Sequence, residues 1–381
     1  LPFITLALFA INPPLAISSF TMVLFVNAII YQNNKNRIFY ELEAFNYLGS
    51  MTNCLKTIDQ IKGFEINGYK DKAAPLLKDT ASIRKNISKL KSGAYDGSDI
   101  QVIKDFLNMI VLRETIIFYN TVKLINKNRE NYIEIYKLLG EIDCFISIAS
   151  YRESLNYFCE PNLLEDRNLI FIEATNLYHP LLDKPVPYNI SQRNLGALIT
   201  GSNASGKSTF LRTIGVNALL SQTLYMALAE KYSGNYFKLL TSIGMADSIE
   251  EGDSYFMAEA KSLKRIIDSI DIRIPTLCIL DEIFRGTNTL ERINAAKEVL
   301  DYMVDRNVMI FAATHDLELT ILMEGKLTNY HFQEDIKEKD IEFDYILRKG
   351  PCTSRNAIAI LRYLDYPPEI YENAEKRVLE S

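Results

Sequence analysis

The residues best suited to chemistry lie between Gly201 and Thr209, where the sequence reads Gly-Ser-Asn-Ala-Ser-Gly-Lys-Ser-Thr. Two glycines separated by four residues and followed by Lys207 and Ser208 match the G-x-x-x-x-G-K-[ST] pattern of a phosphate-binding loop. The backbone N–H groups of such a loop point at phosphate oxygens, and the next helix adds the positive end of its dipole. We therefore expect Lys207 to reach the β- and γ-phosphates of a nucleotide and the Ser208 hydroxyl to bind Mg²⁺. The expected phosphate contacts are Gly201, Ser202, Asn203, Ala204, Ser205, Gly206, Lys207, Ser208 and Thr209.

A pair of carboxylates forms the second candidate group. The apolar run Thr276-Leu-Cys-Ile-Leu ends in Asp281 and Glu282, which is the Walker B pattern, and Lys207 lies 74 residues before Asp281. We expect Asp281 to hold Mg²⁺ and Glu282 to orient or deprotonate the attacking water. A third apolar run, Phe311-Ala-Ala-Thr, ends in His315. Although a lone histidine is commonly structural, its place at the end of a strand favours a role beside the nucleotide.

Four linked motifs identify a family. They are the Gly201–Thr209 loop, Gly252-Asp-Ser-Tyr-Phe-Met-Ala-Glu259, Asp281 to Thr289, and Ala313-Thr-His315. In their order and spacing the chain resembles the MutS family of ABC-type ATPases over about residues 145–381, with His179-Pro180 matching an upstream His-Pro. The resemblance implies an ATPase that uses Mg²⁺ and works as a dimer with composite sites. It also implies membership of a DNA-binding mismatch-repair family.

The resemblance assigns further roles. His315 would sense the γ-phosphate, and Ser254 would face the γ-phosphate bound by the other subunit. Arg285 to Thr289 would line the dimer seam, and the helices of residues 36–158 would be similar to the family's core and lever region.

The chain also departs from the family's motifs. Ser202 and Ala204 stand where relatives have proline and methionine, and Tyr255 replaces the signature threonine. The aromatic residue that stacks on adenine in relatives aligns near Val186. We therefore expect either weaker base recognition or a contact from Tyr188. No mismatch-recognition domain is expected before the helical region.

The elements that must position these residues alternate between strands and helices, which indicates an α/β fold with a nucleotide-binding sheet. Helices are expected at 208–232, 256–269 and 289–305. The expected strands are Leu169–Ile172, Ala197–Thr200, Leu239–Ile243, Thr276–Leu280, Val308–Ala312 and, at a late edge, Tyr345–Leu347.

Residues 36–158 carry helical periodicity and a single proline, Pro75, which indicates an all-helical domain. Its basic residues are the best local candidates for a polyanion surface, although such residues more often form a solvated helix face. They are Lys85, Lys89, Lys91, Lys123, Lys127 and Arg129.

The first 34 residues carry no charge. Asn12-Pro13-Pro14 separates two apolar runs, and the second, Leu15–Tyr31, is just long enough to cross a bilayer. We expect residues 1–31 to form a transmembrane helical hairpin, with a buried hairpin in a soluble domain as the alternative. Lys35 and Arg37 follow at once and place the ATPase domain on the cytoplasmic side. The expected domains are 1–34, 35–160 and 161–381.

The overall charge of −6 excludes a global basic field for nucleic acid. The five scattered cysteines favour a reducing compartment over a disulfide framework or a zinc site.

The hypothesis that best fits these features is a membrane-tethered MutS-like ATPase that binds DNA. The alternative is a nucleotide-switched membrane scaffold that binds no DNA. A transporter ATPase subunit is disfavoured because no L-S-G-G-Q-type signature precedes Asp281.

Overall fold

The structure, a computed structural model, divides the chain into two compact units, Leu1–Tyr151 and Arg152–Ser381. It describes residues 12–61, 68–91, 106–166, 169–202, 205–244, 255–284, 287–306, 308–337, 340–352, 358, 361–362, 364 and 366–379.

The first unit is helical, as expected. Its helices are α1 (Pro13–Asp59), α2 (Tyr69–Asp79), α3 (Ala81–Lys91), α4 (Arg113–Lys127) and α5 (Arg129–Ser154), and a short helical segment covers residues 106–111. Their apolar faces meet in a core that includes Leu55, Ile83 and Ile135, and the rings of Phe45 and Phe118 stack there at 5.4 Å. Burial of these apolar faces holds the unit together.

Helix α1 contains the second run of the expected hairpin and continues well beyond it. It is a single helix of 47 residues whose first turn contains Pro13, and the Asn12 side chain accepts a hydrogen bond from the Leu15 N–H. The Asn-Pro-Pro break is thus a helix start, where proline costs no hydrogen bond. No glycine or proline occurs from Leu15 to Leu48, so the helix passes through the expected boundary at residue 34 without interruption. The first apolar run, residues 1–11, lies outside the described residues.

The second unit is built on a six-stranded sheet in the order β12-β9-β4-β8-β7-β6. Strands β9, β4, β8, β7 and β6 are parallel, and β12 is an antiparallel edge. The strands are β4 (Gly196–Thr200), β6 (Lys238–Ser242), β7 (Thr276–Asp281), β8 (Val308–Ala313), β9 (Leu327–His331) and β12 (Arg348–Lys349). A second sheet has the order β1-β5-β2-β3, and β10 pairs with β11 in a hairpin. Their strands are β1 (Asn162–Leu164), β2 (Phe171–Leu177), β3 (Tyr188–Arg193), β5 (Lys231–Asn235), β10 (Glu334–Lys337) and β11 (Asp340–Phe343).

Helices cover both faces of the central sheet. Alternate residues of the strands, such as Ile199 and Phe311, pack with Phe210 of α6, whereas Leu198 and Ile310 belong to the opposite core. The helices of this unit are α6 (Lys207–Thr223), α7 (Tyr255–Asp268), α8 (Thr289–Val304), α9 (Leu317–Leu322) and α10 (Pro368–Leu379). Burial on both faces explains the nearly unbroken apolar runs seen in the sequence.

Two sequence predictions are wrong in this unit. Helix α6 ends at Thr223, well before the expected end near residue 231, because Tyr225 has a positive φ and residues 231–235 pair with β1 and β2. The expected late strand Tyr345–Leu347 is not a strand; the edge strand is the neighbouring Arg348–Lys349.

Candidate functional site

The predicted chemical groups meet at the carboxyl ends of β4, β7 and β8. These parallel strands are neighbours, and their ends are linked where Glu282 N–H donates to Ala313 O at 3.1 Å and Thr314 N–H donates to Ile199 O at 3.0 Å. The edge at the carboxyl ends of an open α/β sheet is where such folds bind ligands. The order of the strands thus brings together residues that are more than 100 positions apart in sequence.

The loop after β4 needs both of its glycines. Gly201 has φ +142°, and a Cβ there would lie 2.9 Å from the Phe332 carbonyl oxygen. Gly206 has φ +106°, and a Cβ there would lie 3.2 Å from the Tyr345 ring. A side chain at either position would strain the backbone, so glycine is required for the turn into α6. Asn203 and Ala204, in the middle of this loop, lie outside the described residues.

Lys207 lies at the first position of α6 and is 5% exposed. Its ammonium group donates to the carbonyl oxygens of Gly201 at 2.8 Å and Ser202 at 2.7 Å. The same Nζ lies 3.4 Å from His315 Nε2. The cation is therefore held inside the loop, where an incoming anion can compete with the two carbonyl groups.

His315 connects this cation to a carboxylate, because its Nε2 also lies 2.9 Å from Glu282 Oε1. Glu282 has φ +61°, an uncommon conformation for a residue with a side chain. Backbone strain of this kind is concentrated at functional sites. The Nε2 atom carries a proton for Glu282 in one tautomer and a lone pair for Lys207 in the other.

A buried ion pair fixes the turn that carries His315. Arg292 of α8 donates to both carboxylate oxygens of Asp316, at 2.9 and 2.5 Å, and Asp316 N–H donates to the Thr314 hydroxyl at 3.0 Å. The hydrogen bond to Asp316 raises the pKa of the Arg292 guanidinium, which stays charged. Since both side chains are largely buried, this pair restricts the turn on either side of His315.

Asp281 has a property that suits a metal ligand. Its Oδ1 is buried and accepts no hydrogen bond from any residue that the structure describes. A buried carboxylate oxygen without a donor is costly unless a cation neutralises it. Among the described residues no group of three or more His, Cys, Asp or Glu side chains could hold a metal ion by itself. The donor set at Asp281 and Ser208 therefore fits a hard cation that also binds phosphate oxygens.

These residues line one cavity of about 590 Å³. Its polar part is formed by Lys184, Lys207, Ser208, Thr209, Glu282 and His315, and Ser202 and Gly206 also contribute. The cavity is large enough for a nucleotide.

Comparison with known proteins agrees with this architecture. The family model of MutS domain V matches residues 197–380. Residues 197–380 are therefore similar to MutS domain V, and the chain is MutS-like. MutS domain V has an ABC-type ATPase fold.

Individual MutS relatives extend the similarity toward the N-terminus. A DNA mismatch repair protein MutS from Natronomonas pharaonis is 29% identical over 257 residues, which cover 65% of this chain and 29% of the relative. The protein of that name from Protochlamydia amoebophila is 30% identical over 266 residues, which cover 66% and 30%. The one from Staphylococcus aureus is 26% identical over 263 residues, which cover 66% and 30%. The chain thus matches less than a third of the length of these MutS proteins.

Four aromatic or apolar residues also line the cavity: Leu182, Val186, Tyr188 and Tyr345. Tyr188 is 4% exposed, and its ring meets Phe210 edge-on at 5.1 Å. Burial raises the pKa of Tyr188 to about 12. Its ring is thus committed to the core and presents little surface to a base.

Tyr345 is the aromatic residue that sequence reasoning missed at this cavity. It is 41% exposed, has φ +56°, and its ring lies 6.0 Å from Phe343 in a stacked arrangement. Its contact with Gly206 joins positions 139 residues apart. The available signal was a pair of aromatic residues, Phe343 and Tyr345, directly before a basic edge strand.

Glu334 is a second residue that sequence reasoning missed. It is 5% exposed, and its Oε2 accepts a hydrogen bond from the Ser202 hydroxyl at 2.8 Å. A carboxylate at the start of β10 therefore holds the loop at the position where MutS relatives have proline. No local pattern in the sequence marks this contact.

The remaining residues expected from the resemblance to MutS are Ser254, Arg285, Asn288 and His179. Ser254 and Arg285 lie outside the described residues. Asn288, in the expected dimer seam, caps α8 by accepting a hydrogen bond from Leu290 N–H at 3.0 Å. His179, of the upstream His-Pro, accepts from Leu181 N–H at 3.2 Å through Nδ1, and burial lowers its pKa.

Proposed function

We propose that this chain binds ATP with Mg²⁺ and hydrolyses it by in-line attack of water on the γ-phosphate. The observation that carries the proposal is the single cavity that Lys207, Glu282 and His315 line together. At one end of the cavity the Lys207 ammonium group can bind phosphate oxygens, and at the other end the Glu282 carboxylate can activate water. The similarity to MutS domain V supports the same reaction.

Each residue has a defined task in this mechanism. Lys207 exchanges its bonds to the Gly201 and Ser202 carbonyl groups for bonds to the β- and γ-phosphates. The oxygens of a charged phosphate group are stronger acceptors than carbonyl oxygens. Glu282 accepts the proton of the attacking water, and His315 Nε2, 2.9 Å away, donates a hydrogen bond to Glu282 or to the γ-phosphate.

The metal is assigned to two side chains. Ser208 and Asp281 would hold Mg²⁺, which supplies positive charge against the phosphates when it is bound. The buried, unpaired Oδ1 of Asp281 supports this assignment.

For the adenine base we assign Tyr345 as the main aromatic contact, with Tyr188 behind it. The exposed ring of Tyr345 beside Gly206 supports this choice, since a stacking residue must offer a free face. Tyr188, which is 4% exposed, has no such face and acts through packing.

We assign the active form to a homodimer, in which Ser254 reaches the nucleotide of the partner subunit. The similarity to MutS domain V supports this assignment, and Ser254 lies one residue before the start of α7, where a helix N-terminus favours an anion. The cavity of each chain then supplies part of one composite site, and its Ser254 completes the other.

We further propose that the protein is attached to a membrane through α1, with the ATPase unit on the cytoplasmic side. The stretch Pro13–Lys35 is long and apolar enough to cross a bilayer, and only 17% of its most apolar window is buried. A core helix of a soluble protein would be mostly buried, so the exposure favours lipid. Lys35 and Arg37 at its end favour the cytoplasmic side.

DNA is the second proposed ligand, and one surface of the first unit favours it. Helix α3 contains Arg84, Lys85, Lys89 and Lys91 and no acidic residue. Three of these cations line a cavity of about 620 Å³ together with Gly49 and Asn53 of α1. A groove lined by cations and lacking carboxylates suits the phosphate backbone of a nucleic acid.

DNA binding separates this proposal from the membrane scaffold that binds no DNA. The measurement is binding of the detergent-solubilised chain to duplex and branched DNA at several salt concentrations. We expect Lys85→Glu to weaken binding and to flatten its salt dependence. Lys376→Glu, the same charge change on the exposed face of α10, is the control and should change neither. Identical behaviour of the two variants, or no salt-dependent binding, would favour the scaffold.

ATP binding is tested by Lys207→Ala, with Lys264→Ala on the exposed face of α7 as the control. We expect Lys207→Ala to abolish ATP binding and turnover because it removes the only side-chain cation that the structure places inside the Gly201–Thr209 loop among its described residues. The control should behave like the parent protein. ATP affinity and turnover that are unchanged in Lys207→Ala would refute the site.

A further inference from the structure

The helical segment 106–111 exposes an apolar surface that its place in a soluble helical unit does not explain. Phe106 and Leu107 are each 56% exposed, and Val111 is 42% exposed. The segment reads Phe-Leu-Asn-Met-Ile-Val, without a charge. Contiguous exposed apolar residues of this kind mark a surface that is covered in the working protein.

A polar contact fixes this segment against α1. The side-chain amide of Asn27, which is 8% exposed, donates to the Ile110 carbonyl oxygen at 2.7 Å. The carbonyl lies beside a helix break at Leu112, whose φ is +54°. In a bilayer a backbone carbonyl at such a break must find a donor within the protein, and Asn27 supplies it.

A second contact gives the depth and direction of the segment. The Tyr119 hydroxyl donates to Asn34 Oδ1 at 2.7 Å, so the chain from Ile110 to Tyr119 runs the same way as α1 from Asn27 to Asn34. Asn27 lies eight residues before Lys35, the end of the candidate span. At a rise of 1.5 Å per residue, Ile110 lies about 12 Å inside that end. The Asn108 side chain donates to Glu114 Oε1 at 2.6 Å, so this part of the segment lies level with the first turn of α4.

Helix α1 also exposes apolar side chains near the depth of the segment, although on the face of α1 turned away from Asn27. At the level of the segment and beyond it, α1 exposes Met22 by 70% and Phe25 by 67%. Both helices then change to charged residues on the cytoplasmic side, with Arg113 and Glu114 after the break and Lys35 and Arg37 on α1. A change from apolar to basic residues at one level is typical of a membrane interface.

We propose that segment 106–111 is a second lipid contact, which enters the cytoplasmic leaflet beside α1 and is held there by Asn27. The inference depends on the proposed membrane attachment of α1 and adds a site to it. Lipid is the occupant because Ile110 contacts α1 at Asn27, inside a stretch long enough to span a bilayer. The protein therefore meets the membrane through two separate parts of its first unit.

The absence of tryptophan from the chain allows a direct test. Three single-tryptophan variants, Phe106→Trp, Phe25→Trp and Tyr136→Trp, are reconstituted in phosphatidylcholine vesicles with and without lipids brominated on their acyl chains. Phe25 reports α1, and Tyr136, which is 71% exposed on α5 of the same unit, reports the aqueous surface. All three positions are exposed, so the substitutions need no repacking.

We expect brominated lipid to quench Phe106→Trp and Phe25→Trp and to leave Tyr136→Trp unchanged. Leu107→Trp, an independent variant at an equally exposed position, should be quenched as well. Quenching at Phe25→Trp alone would overturn the second lipid contact and leave the attachment of α1 intact. Quenching at neither position would overturn both. Shielding of Phe106→Trp from brominated lipid and from aqueous iodide would mean that a protein surface covers the segment, which also overturns the proposal.

Discussion

At the scale of single residues, the site depends on what Lys207, Glu282 and His315 do to one another. His315 Nε2 lies 3.4 Å from the cation and 2.9 Å from the carboxylate, so one ring nitrogen lies between the two charges. His315 therefore separates the Lys207 ammonium group from the Glu282 carboxylate, while both groups remain close enough to contact one bound nucleotide. An anion that displaces the loop carbonyl groups from Lys207 would release His315 to serve Glu282.

The first residue-scale prediction concerns Glu334. Its hydrogen bond from Ser202 should stabilise the Gly201–Thr209 loop, because loss of the donor would leave a buried carboxyl oxygen without this partner. In a double-mutant cycle of Ser202→Ala and Glu334→Ala we expect a coupling of about 1–2 kcal/mol in the free energy of unfolding. Denaturant unfolding of the four proteins measures it. Strict additivity would show that the contact does not stabilise the fold.

The sequence predicted part of this site and missed the rest for a physical reason. The residues of the Gly201–Thr209 loop, Asp281, Glu282 and His315 stand at the ends of apolar strands, and neighbouring strand ends meet at one sheet edge. Tyr345 and Glu334 reach the loop only because β9, β10 and β11 return the chain to it. Their contacts depend on the path of a hairpin, which no local pattern encodes.

At the scale of secondary-structure elements, the fold depends on the bounds of strands and helices and on the ion pairs between them more than on single side chains. The central strands matched their apolar runs closely, because a sheet buried on both faces needs such runs. The end of α6 was predicted too far along because residues 226–229 are apolar in the sequence, yet they are buried outside the helix, in the connection before β5. Helical periodicity could not distinguish these two ways of burying an apolar run.

The Arg292–Asp316 pair gives the first prediction at this scale. Asp316→Ala should lower turnover more than ATP affinity, because it releases the turn that positions His315 without touching the Gly201–Thr209 loop. It should also cost about 2 kcal/mol of unfolding free energy, since it leaves a partly buried guanidinium without its acceptor. Steady-state turnover and nucleotide titration measure the two effects. An equal loss of affinity and turnover would contradict a positioning role.

Helix α1 gives the second prediction at this scale. Met22→Lys should reduce membrane retention, because a lysine near the centre of a transmembrane helix costs about 3 kcal/mol. In a soluble helix the same change would be tolerated, since Met22 is 70% exposed. The measurement is the fraction of protein that remains in membranes after a carbonate wash. Tyr136→Lys, at an equally exposed position of α5, is the control.

Retention of Met22→Lys equal to that of the parent protein and of Tyr136→Lys would argue that α1 does not lie in the bilayer. A parent protein that is fully soluble after the wash would argue the same.

At the scale of the whole molecule, the proposal requires two chains. Each chain supplies a Gly201–Thr209 loop to one site and Ser254 to the other, so turnover per chain should rise with protein concentration. This prediction rests on the similarity to MutS domain V and on the place of Ser254 directly before α7. A turnover per chain that is independent of concentration across the dimerisation range would contradict it.

Mixing two inactive variants tests the same arrangement without relying on concentration. Lys207→Ala and Ser254→Ala chains should each be inactive alone. In a mixed dimer one site carries both changes and the other carries neither, so activity should partly return. Full exchange of subunits without recovery would show that Ser254 does not act across the dimer.

The central claim is hydrolysis at the cavity of Lys207, Glu282 and His315, and the most direct measurement is ATP binding and turnover in Glu282→Gln. The change removes the base and keeps an amide oxygen for His315, so turnover should fall by about 10²-fold or more while binding persists. Glu291→Gln, an isosteric change on the exposed face of α8, is the control and should leave both unchanged. Turnover that survives in Glu282→Gln, or binding that disappears together with turnover, would contradict the account.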